Sequence, residues 1–252
     1  MQDEEIWLTR LFNDHLAGAG NSILGLFNLH AENADRPWAN FITMQILVAL
    51  VIIVFFSILR SRLSVERPGI LQQLTEELHG FLKEQSIDNV GEHGPHYLVM
   101  FGTIFIFILF SNLIGVIPGF ASPTQYAYVP AGCAMLVFLY YNYLGIREVG
   151  IVSYVKHFAG PIWWLAPLMI PVEIISHFAR PLSLTIRLYA NMFAGEKVTM
   201  VFLSLTYLVA PAVFMGLHVF VGFLQAYVFA LLTMIYVGGA IAHEQEGAHE
   251  TA

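Results

Sequence analysis

Apolar residues fall in five long runs separated by polar punctuation. The first, about 40–60, holds no charge between Phe41 and Leu59 and ends in Arg60, Arg62 and Arg67. The second covers about 97–117, with Asn112 near its far end and Pro118 and Pro123 beyond it. The third, about 127–146, stops at Arg147, and the last two, about 166–207 and 211–242, meet near Pro211. A perpendicular transmembrane helix needs about 20 apolar residues, so each of the first three runs predicts one span. The last two exceed that length, which predicts helices that tilt, kink or lie partly in the interface. The pattern therefore predicts an all-α, polytopic membrane protein of about five transmembrane helices, the last two forming a long antiparallel hairpin.

The flanks read differently. Residues 1–39 carry two apolar patches, Ile6-Trp7-Leu8 with Leu11-Phe12 and Ile23 to Leu29, and close on Asp35-Arg36-Pro37-Trp38. They predict an arm lying on the outer surface, anchored by Trp38 at the interface, ahead of a single membrane domain, 40–252. Residues 63–96 are polar and amphipathic around Glu76, Glu77, His79, Lys83 and Glu84, and are expected to form a solvated helix. Lys156, His157 and the interfacial pair Trp163-Trp164 precede the fourth run.

Composition supports the membrane reading. The 252 residues are 57% hydrophobic and only 12% charged, against about a quarter charged in a soluble domain. A net charge of −7 argues against a nucleic-acid partner. A lone Cys133 in an apolar run excludes an internal disulfide framework or a Cys-based metal cluster. The first forty residues lack a basic segment of the signal-peptide kind, so the first span is expected to direct insertion. Arg60, Arg62, Arg67, Lys83, Arg147 and Lys156 all lie in the connections after spans one and three. That asymmetry puts the N-terminus outside and the C-terminus inside.

The fourth run holds the chemistry. Ionisable groups inside a membrane are costly, so they mark function by default. With Glu173 as origin and about 100° per residue, His177, Arg180, Arg187 and Asn191 share its arc of about 80°, while Glu196 points elsewhere. A polar stripe ending near an arginine, with an offset acid beyond, suits two access routes that do not join. In the fifth run His218 and Gln225 are seven apart, on one stripe. In an antiparallel hairpin, residues at equal depth share one sum of indices. Arg187 with Gln225 and Glu196 with His218 nearly agree on that sum, so each pair is expected to be level.

The ordered set Arg180-Pro181, Ser183, Arg187-Leu188, Asn191-Met192 and Ala194-Gly195-Glu196, continued by His218 and Gln225, resembles subunit a of the F-type ATP synthase. The likeness covers about 95–245. It implies a non-catalytic stator subunit of the membrane Fo sector that conducts protons past a rotating c-ring, alongside subunit b of the peripheral stalk and membrane lipid. It implies no cofactor or metal. Arg187 would separate two half-channels. Glu196, His218 and Asn112 would line the outer one, Glu173 with Ser176 and His177 the inner one, with Asn191, Gln225 and Ser183 around the arginine. Gly115 stands where some bacterial relatives carry an aspartate. The coupling ion is decided mainly by the partner ring, with proton as the default. The expected location is a bacterial inner (plasma) membrane rather than a thylakoid.

Two other classes compete. A haem- or quinone-binding redox subunit would use facing histidines as axial ligands, but His177 and His218 are expected at different depths. An ion-coupled secondary transporter would show internal repeats and Gly-broken helix pairs, and the chain shows neither.

Overall fold

A computed structural model describes residues 5–26, 35–66, 68–117, 119–150, 166–205 and 209–241. Arg67, Pro118, Lys156, His157, Trp163, Trp164 and the end of the second arm patch lie outside the described residues. Every regular element among them is helical: α1 (Trp7–Leu26), α2 (Asn40–Ser61), α3 (Ile70–Val90), α4 (Leu98–Ile114), α5 (Tyr128–Val149), α6 (Ala166–Leu205) and α7 (Val209–Ile241). Single 3-10 turns precede α4 (Gly94–Tyr97) and α5 (Pro123–Gln125). The protein is an all-α, polytopic membrane protein.

Among the described residues, four stretches are long and apolar enough to cross a bilayer: Asn40–Ser61, Gly94–Ile114, Tyr128–Glu148 and Ala212–Ile241. The fifth expected span is a single helix, α6, but its Glu173, Arg180, Arg187, Glu196 and Lys197 set it apart from the other four. Its 40 residues measure about 60 Å, twice a hydrocarbon core of about 30 Å. Pro171 and Pro181 lie inside it. Because proline has no N–H, Pro181 leaves the His177 carbonyl without its helical donor.

α7 is the centre of the bundle, packing on α4, α6, α5 and α3. Lipid tails are as apolar as leucine, so close packing rather than the hydrophobic effect must hold such helices together. Small residues on α7 allow it. Gly222, Ala226, Ala230 and Gly238 are all buried, and a Cβ at Gly222 would stand 3.1 Å from the Asn112 Cβ. At Gly238 it would collide with the Asn89 carbonyl of α3. Phe101, Phe105 and Ile108 of α4, Val137 of α5, Leu184 and Leu188 of α6 and Phe229 of α7 fill the space between.

Two expectations are extended. The amphipathic connection is not merely a solvated helix. Leu82 of α3 enters the core, Leu78 and Val90 pack against it, and the Tyr227 hydroxyl of α7 donates to Gln85 Oε1 at 3.1 Å. Apolar positions at four-residue spacing carried that face, against a polar average that concealed it. Trp38, expected as an interfacial anchor, also ties the arm down: its Nε1 donates to the Leu16 carbonyl at 2.9 Å. Asn13 brackets the Trp38 backbone in both directions, and the Thr9 and Thr43 hydroxyls meet at 2.7 Å.

Candidate functional site

The α6–α7 hairpin is antiparallel, as its side-chain pairs show. Arg180 lies over the Tyr236 ring, Asn191 donates to Gln225, Gly195 abuts His218 and Phe202 stacks on Phe214. Indices rise on one helix as they fall on the other. Glu196 and His218 sit close to level, as expected. Gln225, expected level with Arg187, reaches Asn191 one turn further on, at 2.9 Å.

The first cluster lies at the end of the bundle that holds the α5 and α7 C-termini. Arg180 NH2 is 3.4 Å from Glu173 Oε1, and its guanidinium carbon is 5.4 Å from the Tyr236 ring centre. His177 is buried against α5. Its Nε2 is 2.9 Å from Asn142 Oδ1, and its Nδ1 is 3.3 Å from the Tyr141 hydroxyl. Asn142 Nδ2 is already donating to the Phe138 carbonyl, leaving its oxygen for His177. His177 Nε2 therefore carries a proton, and in the neutral ring Nδ1 accepts from Tyr141. Tyr141, Asn142 and Tyr236 were not singled out from sequence. The signal was present for Asn142, an amide inside an otherwise apolar span.

The second cluster lies on the other side of the bundle's middle. One carboxylate oxygen of Glu196, Oε2, is buried. His218 presses its Nδ1 onto the Gly195 backbone, where a Cβ would stand only 2.9 Å away. Its buried Nε2 bonds to no described residue, and the same holds for Gln225 Nε2. Asn191, Gly195, Thr199 and His218 share the wall of a cavity of about 170 Å³. Beside them Asn112 braces three elements. It donates to the Gly222 carbonyl of α7 at 3.0 Å, and its Oδ1 accepts from the Thr124 hydroxyl at 2.7 Å. Ser122 meets Thr124 at 2.6 Å and donates to the Ser111 carbonyl. Gly115 is packed here, since a Cβ would lie 2.7 Å from that of Ser122. Side chains larger than hydrogen at 115 have no room.

Between the clusters the buried side chains are apolar but for Thr233, whose hydroxyl donates back to the Phe229 carbonyl of its own helix. Leu184 and Leu188 of α6 and Ala226, Phe229 and Ala230 of α7 are buried, and all are apolar. Arg187 lies at this level, between the two leucines in sequence, but its side chain is exposed on the outside of the bundle. Among the described residues it has no ion pair or hydrogen bond. Exposed Ser183, Ala190 and Ala194 share its strip, flanked by exposed Leu182 and Ile186. Ser183 thus faces outward beside Arg187. His177 and His218 are in different clusters, each held by its own neighbours, so they do not face one another as paired ligands.

Comparison with known proteins places the sequence. Residues 42–238 match the family described as ATP synthase A chain. The chain is 64% identical over 234 residues to ATP synthase subunit a of Solibacter usitatus, covering 93% of this chain and 100% of that protein. It is 44% identical over 239 residues to ATP synthase subunit a of Koribacter versatilis, covering 95% and 98%. A third relative, ATP synthase subunit a of Geotalea daltonii, is 43% identical over 196 residues, covering 78% of this chain and 84% of its own.

Proposed function

The chain belongs to the ATP synthase A chain family, and from that premise we propose that it carries protons along two half-channels that meet only at the exposed face of Arg187. It is a subunit of the ATP synthase complex and conducts rather than catalyses. Its partner at that face is the rotating c-ring of the Fo sector, with subunit b of the stalk elsewhere. The membrane is a bacterial inner membrane, with the N-terminus outside and the basic ends of α2 and α5 in the cytoplasm.

One observation carries the reading. A permanent cation is displayed among apolar side chains on the surface of a membrane protein, with no counter-charge among the described residues. Guanidinium does not titrate, so it cannot shed the charge in lipid. A partner must supply an anion. The small residues Ser183, Ala190 and Ala194 on the same strip allow a helix to approach closely. A ring carboxyl is neutral while it travels through lipid, because burying its charge there is costly. Beside Arg187 it gives up its proton and pairs with the cation.

The two clusters supply and remove that proton. On the outer side it passes Glu196 and His218, with the 170 Å³ cavity leaving space for water and Asn191 and Gln225 orienting the approach. Asn112 holds the wall of this route through Thr124 and Gly222. On the inner side Glu173 and His177 accept it. There Arg180 balances the Glu173 charge, and Tyr141 can relay to His177 Nδ1. The mostly apolar layer, whose one hydroxyl is spent on its own helix, opposes proton transfer within the chain, so transfer goes by way of the ring.

ATP-driven proton pumping into inverted vesicles carrying the whole complex tests this, wild type against Arg187→Ala. Pumping should vanish while the complex still assembles. Pumping at the normal rate in the variant refutes the assignment.

A further inference from the structure

α2 is buried only in its first half. The buried residues of α2 are Thr43, Met44 and Val48, and none beyond Val48 is buried. Phe55 still meets Phe110 of α4, their ring centres 5.6 Å apart, and beside this contact lies a groove of about 770 Å³ whose walls include Ile53, Phe56, Val99 and Phe107. Along α4 these walls run from Leu98 to Phe107, about 13 Å at 1.5 Å per residue. That is close to half of a hydrocarbon core of about 30 Å, the depth of one leaflet.

Lys83 puts a cation at the polar end of this groove. His79 and Lys83, one turn apart on α3, line it, and no acidic side chain does. Neither makes a hydrogen bond or ion pair among the described residues. Thr103, the one hydroxyl in the wall, donates back to the Val99 carbonyl of its own helix at 2.7 Å and has no proton left for a phosphate oxygen. Arg60 and Arg62 end α2 at the same side of the bundle. A second cleft at this end, about 540 Å³, has the opposite character, with Asp88 and Glu148 in its lining. The contrast shows that the positive charge belongs to the groove rather than to the whole surface.

We propose that the groove between α2 and α4 is a binding site for an anionic phospholipid of the leaflet at the basic end of the protein, with an acyl chain along Ile53 and Phe107 and the phosphate at Lys83 and His79. The apolar wall suits hydrocarbon and the self-satisfied Thr103 leaves it dry. The ammonium and imidazole supply donors to phosphate oxygens at the depth where a headgroup lies. The inference rests on embedding in a membrane and not on the proton route, so either can fail without the other.

The test uses the whole complex in vesicles of phosphatidylcholine with a minority of phosphatidylglycerol. Photoactivatable forms of each lipid, with the reactive group in mid-chain, are cross-linked and the labelled peptides mapped. The α4 segment 98–107 should be labelled about five-fold more by the anionic probe, given about one Lys-equivalent of headgroup attraction. Lys83→Gln should bring the two probes level. A Cβ at Gly102 would meet nothing nearer than Leu82 Cδ1 at 4.0 Å and Gly102 lines the groove, so Gly102→Leu should fill the groove from a backbone position with room for it and reduce labelling by both probes. Equal labelling by both lipids in the wild type overturns the headgroup site. Labelling unchanged in Gly102→Leu, or capture of a partner's transmembrane helix by a cysteine at 102, overturns the groove as a lipid site.

Discussion

The two polar clusters along the α6–α7 hairpin are built on different principles. The inner one is charged and internally balanced: Glu173 faces Arg180, and His177 has neighbours on both ring nitrogens. The outer one is neutral apart from Glu196, and keeps buried nitrogens on His218 and Gln225 that bond to no described residue beside a cavity. A cluster with its hydrogen bonds filled holds its geometry. Nitrogens that no described residue takes up, one of them on the His218 ring that lines a cavity, suit the passing of a proton. Between them lies an apolar layer, and Arg187 stands outside it. On the proposed reading, the difference teaches that packing separates the two routes, with Arg187 placed at the one level where packing inside the chain cannot.

The comparison can be broken at His218. If the outer cluster works through titratable groups, His218→Ala should lower ATP-driven pumping about a hundred-fold, the usual scale for losing a positioned acid–base group. A rate close to normal would reduce the outer cluster to scaffolding. Gly195 sharpens the point. Its missing side chain admits the imidazole, so Gly195→Ala, which sets a Cβ 2.9 Å from His218 Nδ1, should slow pumping about ten-fold by displacing that group. Adding Gly195→Ala to His218→Ala should then change pumping little further, whereas two additive losses would show that the glycine serves something else. The smallest effect belongs to the brace. Thr124→Val removes the donor to Asn112 Oδ1 and should destabilise the purified complex by about 1 kcal/mol, read as a lower melting temperature. No shift would mean that the Asn112 network is dispensable.

Much of this was legible in the sequence, for physical reasons. Long apolar runs have one solution in a bilayer, so the expected spans, such as 97–117 and 127–146, fall close to the observed Leu98–Ile114 and Tyr128–Val149. The hairpin register followed from matching polar residues on two helices, and Glu196 and His218 obey it. Choices of partner across helices were hidden. Nothing local says that His177 will find Tyr141 and Asn142, or that Trp38 will bond to Leu16, because those contacts depend on how separate helices pack. The outward turn of Arg187 was hidden as well. The helical angles put it with Glu173 and His177, yet the packed stripe runs through Leu184, Leu188 and Met192, leaving the arginine at its margin and exposed. The inner face of α3 was masked by its polar average, since a few apolar side chains suffice to dock a helix whose remaining faces stay wet.

Sided accessibility tests the central claim most directly. With Cys133 replaced by serine, single cysteines at 177 and 218 in the assembled complex are challenged with a membrane-impermeant thiol reagent added from one side or the other. The two-route account predicts that position 177 reacts only from the side bearing Arg60 and Arg147, and position 218 only from the opposite side. Reaction of either cysteine from both sides would mean a continuous aqueous path through the chain, and would contradict it.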